Sequence, residues 1–448
     1  MKTTRFFLTL AFVMALALSM SASAQGELTY TSGFQLQNLD VANDAAVVIT
    51  FYNQDGSEEA SPSDTIPAGG SKTYFPLDAV EDGFNGSVVV SSDREIVAIA
   101  NVLANDNTFG ASYGGFTSGA TAVNLPLLMK ENYGFSTWFN VQNTGSEDAD
   151  VLVTYNTGVT ETATIPPGAA ATFDQAINPD LAAGWVGSAS VTSDQSMVAA
   201  AMQVGPTTLL GYNGFTGAST APVMPLVNAN NYGYVTGIQV QNTSGTDTEV
   251  TIAYAPSTAG TACTETGTVP ANSSASFGLY AFTYSGGTTT SDCVMGETFV
   301  GSAAVVTNTA DAPLVVIVNQ LNSDANKGAA YEGFDPAAGT DTVVMPLIMD
   351  RNWEYFTGFS VMNVGDAATD VTCTFTDSPY EVTATLDPGE ALTAVQLNQI
   401  ADGYVGSGRC VASEGGSIVG IVNELGPASA AAGDTFLVYD AFNTTTTP

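Results

Sequence analysis

Acidic side chains are the residues of this chain best suited to chemistry, because its sequence contains 44 Asp and Glu but no His. Without histidine, Ser-His-Asp and Cys-His catalysis and imidazole ligation of metals are excluded. Two opposed carboxylates could still hydrolyse a glycosidic bond. The closely spaced acidic pairs, however, fall in polar loop segments and do not recur along the chain; they are Glu58 and Glu59, Glu81 and Asp82, and Asp148 and Asp150. We interpret them as solvated charges.

Nucleophilic serines and metal sites have equally little support. None of the four repeated Gly-Ser pairs lies in the G-x-S-x-G turn between strand and helix that exposes a catalytic serine. Calcium prefers carboxylate and carbonyl oxygens, and Asp341, Asp350 and Glu131 lie beside apolar connecting segments. No EF-hand or nonapeptide spacing surrounds them. The sequence therefore predicts a protein that is not an enzyme and has no cofactor, with calcium between repeats as an open alternative.

The four cysteines predict two disulfides. Four cysteines allow three connectivities, and we favour Cys263–Cys293 with Cys373–Cys410 because each pair then stays within one repeat. Each bridge would close a loop of about 30 to 40 residues and stabilise the fold by roughly 3–4 kcal/mol. A zinc site is disfavoured because the chain has neither a CxxC pair nor histidine.

Three tryptophans could offer a flat surface to a sugar. Trp185 occupies a position that other repeats fill with a different aromatic residue, so we assign it to the core; the equivalents are Phe84, Phe299 and Tyr404. Trp138 and Trp353 lie near the apolar connectors and are the candidates for exposure. No repeat shows a distinct aromatic platform beyond the core positions.

The sequence contains a repeated unit that occurs four times. Residues 184–205 predict a β-hairpin with a polar turn at residues 193–195, and equivalent segments occupy residues 84–105, 299–322 and 404–426. A strand ending in Asn precedes each copy, and the spacing of these residues defines the repeat; they are Asn38, Asn143, Asn242 and Asn363. About seven short strands per roughly 100 residues indicate an antiparallel β-sandwich.

We therefore predict an all-β protein of four tandem immunoglobulin-like sandwiches in a linear array. The sandwiches span residues 25–121, 122–220, 221–341 and 342–448. The connectors are apolar, so each is expected to start the following sandwich as an edge strand and to stiffen the array; they comprise residues 123–129, 222–227 and 343–349.

Residues 1–24 read as a secretory signal peptide, with a basic start, an apolar core and a small-residue cleavage site. The apolar core is shorter than the ~20 residues of a membrane-spanning helix, so no transmembrane segment is predicted. The formal net charge of −36 repels nucleic acid and anionic membranes. These features predict an extracellular or cell-surface protein whose partners are other subunits or a cell-surface polymer.

Two terminal segments are candidates for assembly. Repeat one begins at Leu28, Thr29 and Tyr30 without the apolar leading strand of the other repeats, and an unpaired sheet edge can accept a strand from another chain. The chain also ends in a segment of high β-propensity, formed by Thr444, Thr445, Thr446 and Thr447. Our hypothesis is head-to-tail association of these segments, and the alternative is that the C-terminal segment is a frayed terminus.

The repeat resembles the tandem immunoglobulin-like or fibronectin-like sandwiches of exported bacterial surface proteins. Residues 139–145 (FNVQNTG) and 184–215 carry this resemblance best. The resemblance implies an extracellular, non-catalytic role and transfers no active site. The function expected from these observations is that of a structural protein in a surface layer, sheath or extracellular filament; the alternative is an adhesin or a carbohydrate-binding module.

Overall fold

The computed structural model describes residues 10–14, 28–104, 108–278, 290–307, 309 and 312–444. These residues form antiparallel sheets joined by turns, so the predicted all-β class is confirmed. Single turns of 3-10 helix occur at Pro336–Ala338 and Ala430–Ala432. In the described part of the chain, no helix is long and apolar enough to cross a membrane.

Each repeat contributes one set of strands, numbered here in chain order. The N-terminal segment and repeat one contain β1 (Leu10–Met14), β2 (Tyr30–Asn38), β3 (Ala45–Asn53), β4 (Glu58–Ala60), β5 (Ser63–Ile66), β6 (Ser71–Tyr74), β7 (Gly86–Ser92), β8 (Ile96–Ala104) and β9 (Phe109–Gly114). Repeat two contains β10 (Ala120–Lys130), β11 (Ser136–Asn143), β12 (Ala149–Tyr155), β13 (Thr160–Ile165), β14 (Ala170–Asp174), β15 (Trp185–Val204) and β16 (Leu209–Asn213).

Repeats three and four follow the same plan. Repeat three contains β17 (Val223–Ala229), β18 (Val235–Asn242), β19 (Thr248–Ala259), β20 (Cys263–Val269), β21 (Ser273–Phe277), β22 (Thr290–Ser291), β23 (Phe299–Thr307), β24 (Leu314–Asn322) and β25 (Lys327–Glu332). Repeat four contains β26 (Thr342–Asp350), β27 (Phe356–Asn363), β28 (Thr369–Phe375), β29 (Glu381–Leu386), β30 (Ala391–Val395), β31 (Tyr404–Ala412), β32 (Ile418–Leu425), β33 (Phe436–Asp440) and β34 (Phe442–Thr444).

The strands of each repeat form two layers, which we call the outer sheet and the inner sheet. In repeat one the outer sheet has the order β1-β7-β3-β4, with β5 also on β3, and the inner sheet has the order β6-β2-β8-β9. Repeats three and four have the orders β17-β23-β19-β20-β22 and β29-β28-β31-β26-β34 outside, and β21-β18-β24-β25 and β30-β27-β32-β33 inside. In repeat two, β15 passes through both layers and joins them into one nearly closed sheet.

The hairpin predicted at residues 184–205 and its equivalents is wrong. In repeat one, β7 pairs with β1 and β3, whereas β8 pairs with β2 and β9. The two strands thus form an arch between the layers, and the first and second halves of β15 do the same. The reason is burial: apolar side chains of β7 and β8 face each other across one core, which a hairpin within a single sheet would not allow.

The Asn that ends the first inner strand of each repeat closes a local turn. Asn143 Nδ2 donates to the carbonyls of Glu147 and Ile165 at 2.7 and 2.8 Å, and its Oδ1 accepts from the amide of Gly145 at 2.8 Å. The same contacts recur around the equivalents, which are Asn38, Asn242 and Asn363. All four are buried, so the motif joins the inner sheet to the outer one.

The predicted linear array is also wrong, because the four repeats close into a ring. The last inner strands contact one another in a circle: β9 touches β16, β16 touches β25, β25 touches β33, and β33 returns to β9. Apolar residues of each inner sheet enter the core of the preceding repeat; they include Ala200, Ile317, Ile421 and, for closure onto repeat four, Ile99. Each core is therefore completed by the next repeat.

The ring follows from the apolar pattern of the inner strands. A strand such as β12 alternates buried and exposed residues, as expected for a sheet with one solvated face. Strands such as β8 and β24 are buried on both faces. One face packs on the outer sheet of the same repeat, and the other lies against the leading strand of the preceding repeat, as β26 lies against β2 and β8.

Polar pairs mark three of the four junctions. Gln203 and Asn319 exchange two hydrogen bonds of 3.0 and 2.7 Å, and Gln320 Nε2 donates to Asn423 Oδ1 at 3.1 Å. At the closing junction Asn101 Nδ2 donates to Glu424 Oε2 at 3.2 Å. The equivalent residues between repeats one and two are Val102 and Met202, which pack in one apolar cluster.

Both predicted disulfides are present. Cys263, at the start of β20 in repeat three, is bonded to Cys293 in the loop before β23, and Cys373 is bonded to Cys410 on the paired strands β28 and β31. Each links residues of a single repeat, as expected.

Candidate functional site

Three equivalent hairpin tips display an aromatic residue to solvent. They connect β10 to β11, β17 to β18 and β26 to β27, and their sequences are Asn132-Tyr133-Gly134-Phe135, Asn231-Tyr232-Gly233-Tyr234 and Asn352-Trp353-Glu354-Tyr355. The first and last residues of each tip exchange backbone hydrogen bonds, at 2.9 Å in the first tip. These are two-residue turns, so the central side chains project away from the sheets.

The central residues of the tips have left-handed backbones. Their φ angles are 50° and 85° at Tyr133 and Gly134, and 51° and 68° at Trp353 and Glu354. Positive φ at both positions is what a type I′ turn requires, and Asn-Gly is its preferred sequence. An aromatic residue in this conformation is uncommon and strained. The sequence thus places an aromatic side chain where local preference favours Asn.

The three aromatic side chains are almost completely exposed. The exposed fraction is 91% for Tyr133, 95% for Tyr232 and 88% for Trp353. The other two tryptophans differ: Trp138 is buried in the core of repeat one, and Trp185 packs against Tyr155 with ring centroids 5.6 Å apart. The assignment of Trp185 to the core is thus consistent with its position. Of the three tryptophans, Trp353 alone has a side chain that is almost completely exposed.

Polar contacts hold the tips in place. Asn322 Nδ2 donates to the carbonyl of Tyr232 at 3.0 Å. Beside the third tip, buried Asp350 accepts from Arg351 Nε at 2.8 Å and from the amides of residues 398–400. Burial opposes ionisation of Asp350, but the hydrogen bonds from Arg351 and these amides outweigh it and hold the pKa below its usual range. The carboxylate is therefore a structural anchor.

Within the described residues, none of the calcium candidates belongs to a close group of three or more metal-ligand side chains. Asp350 accepts hydrogen bonds from protein donors, and Glu131 directly precedes the first tip, where its amide donates to Ser136 Oγ at 3.0 Å. Among the described residues, the only close grouping of three or more metal-ligand side chains is Asp292 with the bonded Cys263 and Cys293. The disulfide removes both thiolates from coordination. The acidic pairs considered for glycoside hydrolysis are all exposed.

The predicted assembly residues have partners within the chain or lie outside the described residues. Tyr30 begins β2 and pairs with Ala104, and Thr444 ends β34 opposite Thr342. Leu28 and Thr29 precede β2 without regular structure. Thr445, Thr446 and Thr447 lie outside the described residues.

Asp434 joins all four repeats near the ring axis. Its amide donates to the carbonyl of Thr108 in repeat one at 2.7 Å. Its carboxyl accepts from the amides of Leu209 in repeat two and Gly328 in repeat three, each at 3.0 Å. Burial raises the pKa of Asp434 to about 8, although the hydrogen bonds that its carboxyl accepts act to lower the pKa. Lys327 Nζ lies nearby and donates to Thr435 Oγ1 at 2.8 Å.

A second carboxyl cluster lies where the last inner strands of the four repeats end. The final residues of β9, β16, β25 and β33 converge there and are Gly114, Asn213, Glu332 and Asp440. Burial raises the pKa values of Glu332 and Asp440, which hydrogen bond to each other, so one carboxyl supplies a proton to the pair. A cavity of about 480 Å³ opens beside them. The lining also contains a third carboxylate, Asp335, whose Oδ1 accepts hydrogen bonds from Ser219 Oγ at 2.9 Å and from the amide of Ala337 at 3.1 Å.

Sequence reasoning missed Tyr133 and Tyr232. The signal was present as Asn-Tyr-Gly between two apolar strands, which predicts a type I′ hairpin with its second residue at the tip.

No family model matches the chain, and no curated protein matches it. Among solved structures, the chain has a weak similarity to a glycoside hydrolase of family 32 from Bifidobacterium adolescentis, with a TM-score of 0.16 and 8% identity over 89% of this chain and 98% of that chain. A TM-score this low carries no argument about fold or function.

Proposed function

We propose that this protein is an exported structural component of a bacterial surface layer, sheath or extracellular filament. Its four repeats of immunoglobulin-like sandwich type form a rigid ring, and its subunits join by adding a strand to repeat one. The interlocked cores support the structural role, because each repeat is held by both neighbours. The proposal that subunits assemble in this way rests on the position of β1.

β1 fills a place that belongs to the leading strand of a repeat. It pairs antiparallel with β7, from Leu10 opposite Ser92 to Met14 opposite Val88. In repeats two to four the equivalent places are held by β10, β17 and β26. Residues 10–14, however, lie in the apolar core of the expected signal peptide. Cleavage after residue 24 would leave β7 as an open sheet edge, and such an edge accepts a strand from another chain.

A buried tyrosine supports the same interpretation. Tyr212, Tyr331 and Tyr439 donate their hydroxyls to the leading strands of their own repeats, Tyr212 to the carbonyl of Leu127 at 2.7 Å. The equivalent hydroxyl, that of Tyr113, is buried and has no hydrogen-bond partner among the described residues. A leading strand longer than β1 would supply the missing carbonyl.

The test is to purify residues 25–448 and to follow assembly by negative-stain electron microscopy and analytical ultracentrifugation. We expect ordered polymers. We also expect a synthetic peptide of residues 9–15 to block their growth and to protect the amides of residues 88–92 from hydrogen exchange. Deleting residues 445–448 tests whether the C-terminal tail of a neighbouring subunit supplies the strand that pairs with β7. A reduced rate of polymer growth would support this role of the tail.

The control is a peptide with proline at both Phe12 and Val13. Adjacent residues of a strand direct their amides to opposite sides, so at least one proline removes a hydrogen bond to β7. This peptide should leave growth unchanged. A chain 25–448 that remains monomeric at high concentration, with residues 88–92 unprotected, would contradict assembly through this edge.

A further inference from the structure

We propose that Tyr133, Tyr232 and Trp353 form a three-point binding surface for a neutral polysaccharide. The proposal rests on the geometry of the hairpin tips and is independent of subunit assembly. Nothing in the fold requires these rings, because each is at least 88% exposed and contributes to no core. Type I′ turns fold better with Asn at this position, so the aromatic side chains are unfavourable for the turn itself.

The three tips lie at the same end of the ring. Gly134 of the first tip packs against Pro206, and Tyr232 of the second is held by Asn322. Tyr355 of the third tip lies against Gly426. Asn322 ends the second arch strand of its repeat, and Pro206 and Gly426 follow theirs within two residues. Equivalent positions in a closed ring place the tips around one rim, where one long chain can contact more than one of them.

The chemistry of the rim favours a neutral sugar chain. An exposed aromatic ring can stack on the C–H face of a pyranose, and each tip offers one ring that is almost completely exposed. The net charge of −36 disfavours an anionic polymer or an anionic membrane. Arg351, beside the third tip, is already paired with Asp350. One ring binds one sugar weakly, but three rings on a rigid frame raise the affinity for a polymer through effective concentration.

The experiment compares retention of residues 25–448 on insoluble cellulose and in affinity gels containing hydroxyethyl cellulose, with alginate and phosphatidylcholine vesicles as parallel probes. The variants are Tyr133→Asn, Tyr232→Asn and Trp353→Asn, singly and together. Asparagine favours positive φ, so the hairpins remain folded while the rings are lost. Val41→Ala is the matched control, because Val41 is also largely exposed but lies outside the tips.

We expect retention on the neutral glucans, a fall of about three- to tenfold in affinity for each single variant, and loss of retention in the triple variant. Val41→Ala should bind as the unmodified chain does. Equal retention of the triple variant would overturn the proposal, as would binding to alginate or vesicles in place of the neutral polymers. Failure to bind either neutral glucan would refute the assigned ligand class.

Discussion

Replacing Glu424 with glutamine should make the protein more resistant to alkaline pH. Glu424 is only 2% exposed, and its Oε1 has no hydrogen-bond partner among the described residues. Burial raises its pKa to about 7, although the hydrogen bond from Asn101 acts to lower the pKa. The equivalent residues of repeats two and three are already glutamines, Gln203 and Gln320, which pair with asparagines. The substitution would therefore give the closing junction the same pair.

The magnitude follows from the pKa difference between the folded and unfolded states. A glutamate in an unfolded chain has a pKa of about 4.3. The folded state therefore binds the Glu424 proton more tightly, and the pKa difference corresponds to about 3–4 kcal/mol. Because the folded pKa is raised, this stabilisation is complete below about pH 4 and declines as the pH rises to about 7. Glutamine has no such decline. We expect Glu424→Gln to match the unmodified protein near pH 4.5 and to exceed its free energy of unfolding by about 3 kcal/mol at pH 8.

Guanidinium denaturation of both proteins at pH 4.5 and pH 8 measures this difference. The reverse substitution Gln203→Glu is the matched control, because it places a carboxyl at the equivalent junction and should destabilise the protein at pH 8 more than at pH 4.5. If the effect of Glu424→Gln is the same at both pH values, burial of a titrating carboxylate at the closing junction is not the cause.

Two further substitutions test the ring and the disulfides. Ile99→Ala should cost about 2–5 kcal/mol, and hydrogen exchange should accelerate in repeat four, whose core Ile99 enters; acceleration confined to repeat one would argue for independent repeats. Replacing both Cys373 and Cys410 with alanine should lower the free energy of unfolding by about 2–5 kcal/mol, measured by thermal denaturation under oxidising conditions; an unchanged Tm would show that the bridge adds no stability.

Local patterns in the sequence were sufficient for the strands and for the contacts within a repeat. Alternation of apolar and polar residues across Asp150–Tyr155 is typical of a strand with one solvated face, and β12 does alternate between buried and exposed residues. The cysteine pairs were predictable because each pair falls within one repeat, and both bridges form. The motif asparagines were visible as a regular spacing, although their role in joining two layers needed the carbonyl positions.

By itself, the sequence determined the all-β class, the number of repeats and both disulfides, because these depend on short-range periodicity and on spacing within one unit. Tertiary structure alone decided that the repeated segments are arches, that the array closes into a ring, and that Trp353 is exposed while Trp138 is buried. An apolar residue in the sequence indicates that its side chain can be buried. It does not indicate which surface will cover that side chain. The second face of each inner sheet is covered by another repeat, and residues as distant as Asn101 and Glu424 meet only when the ring closes.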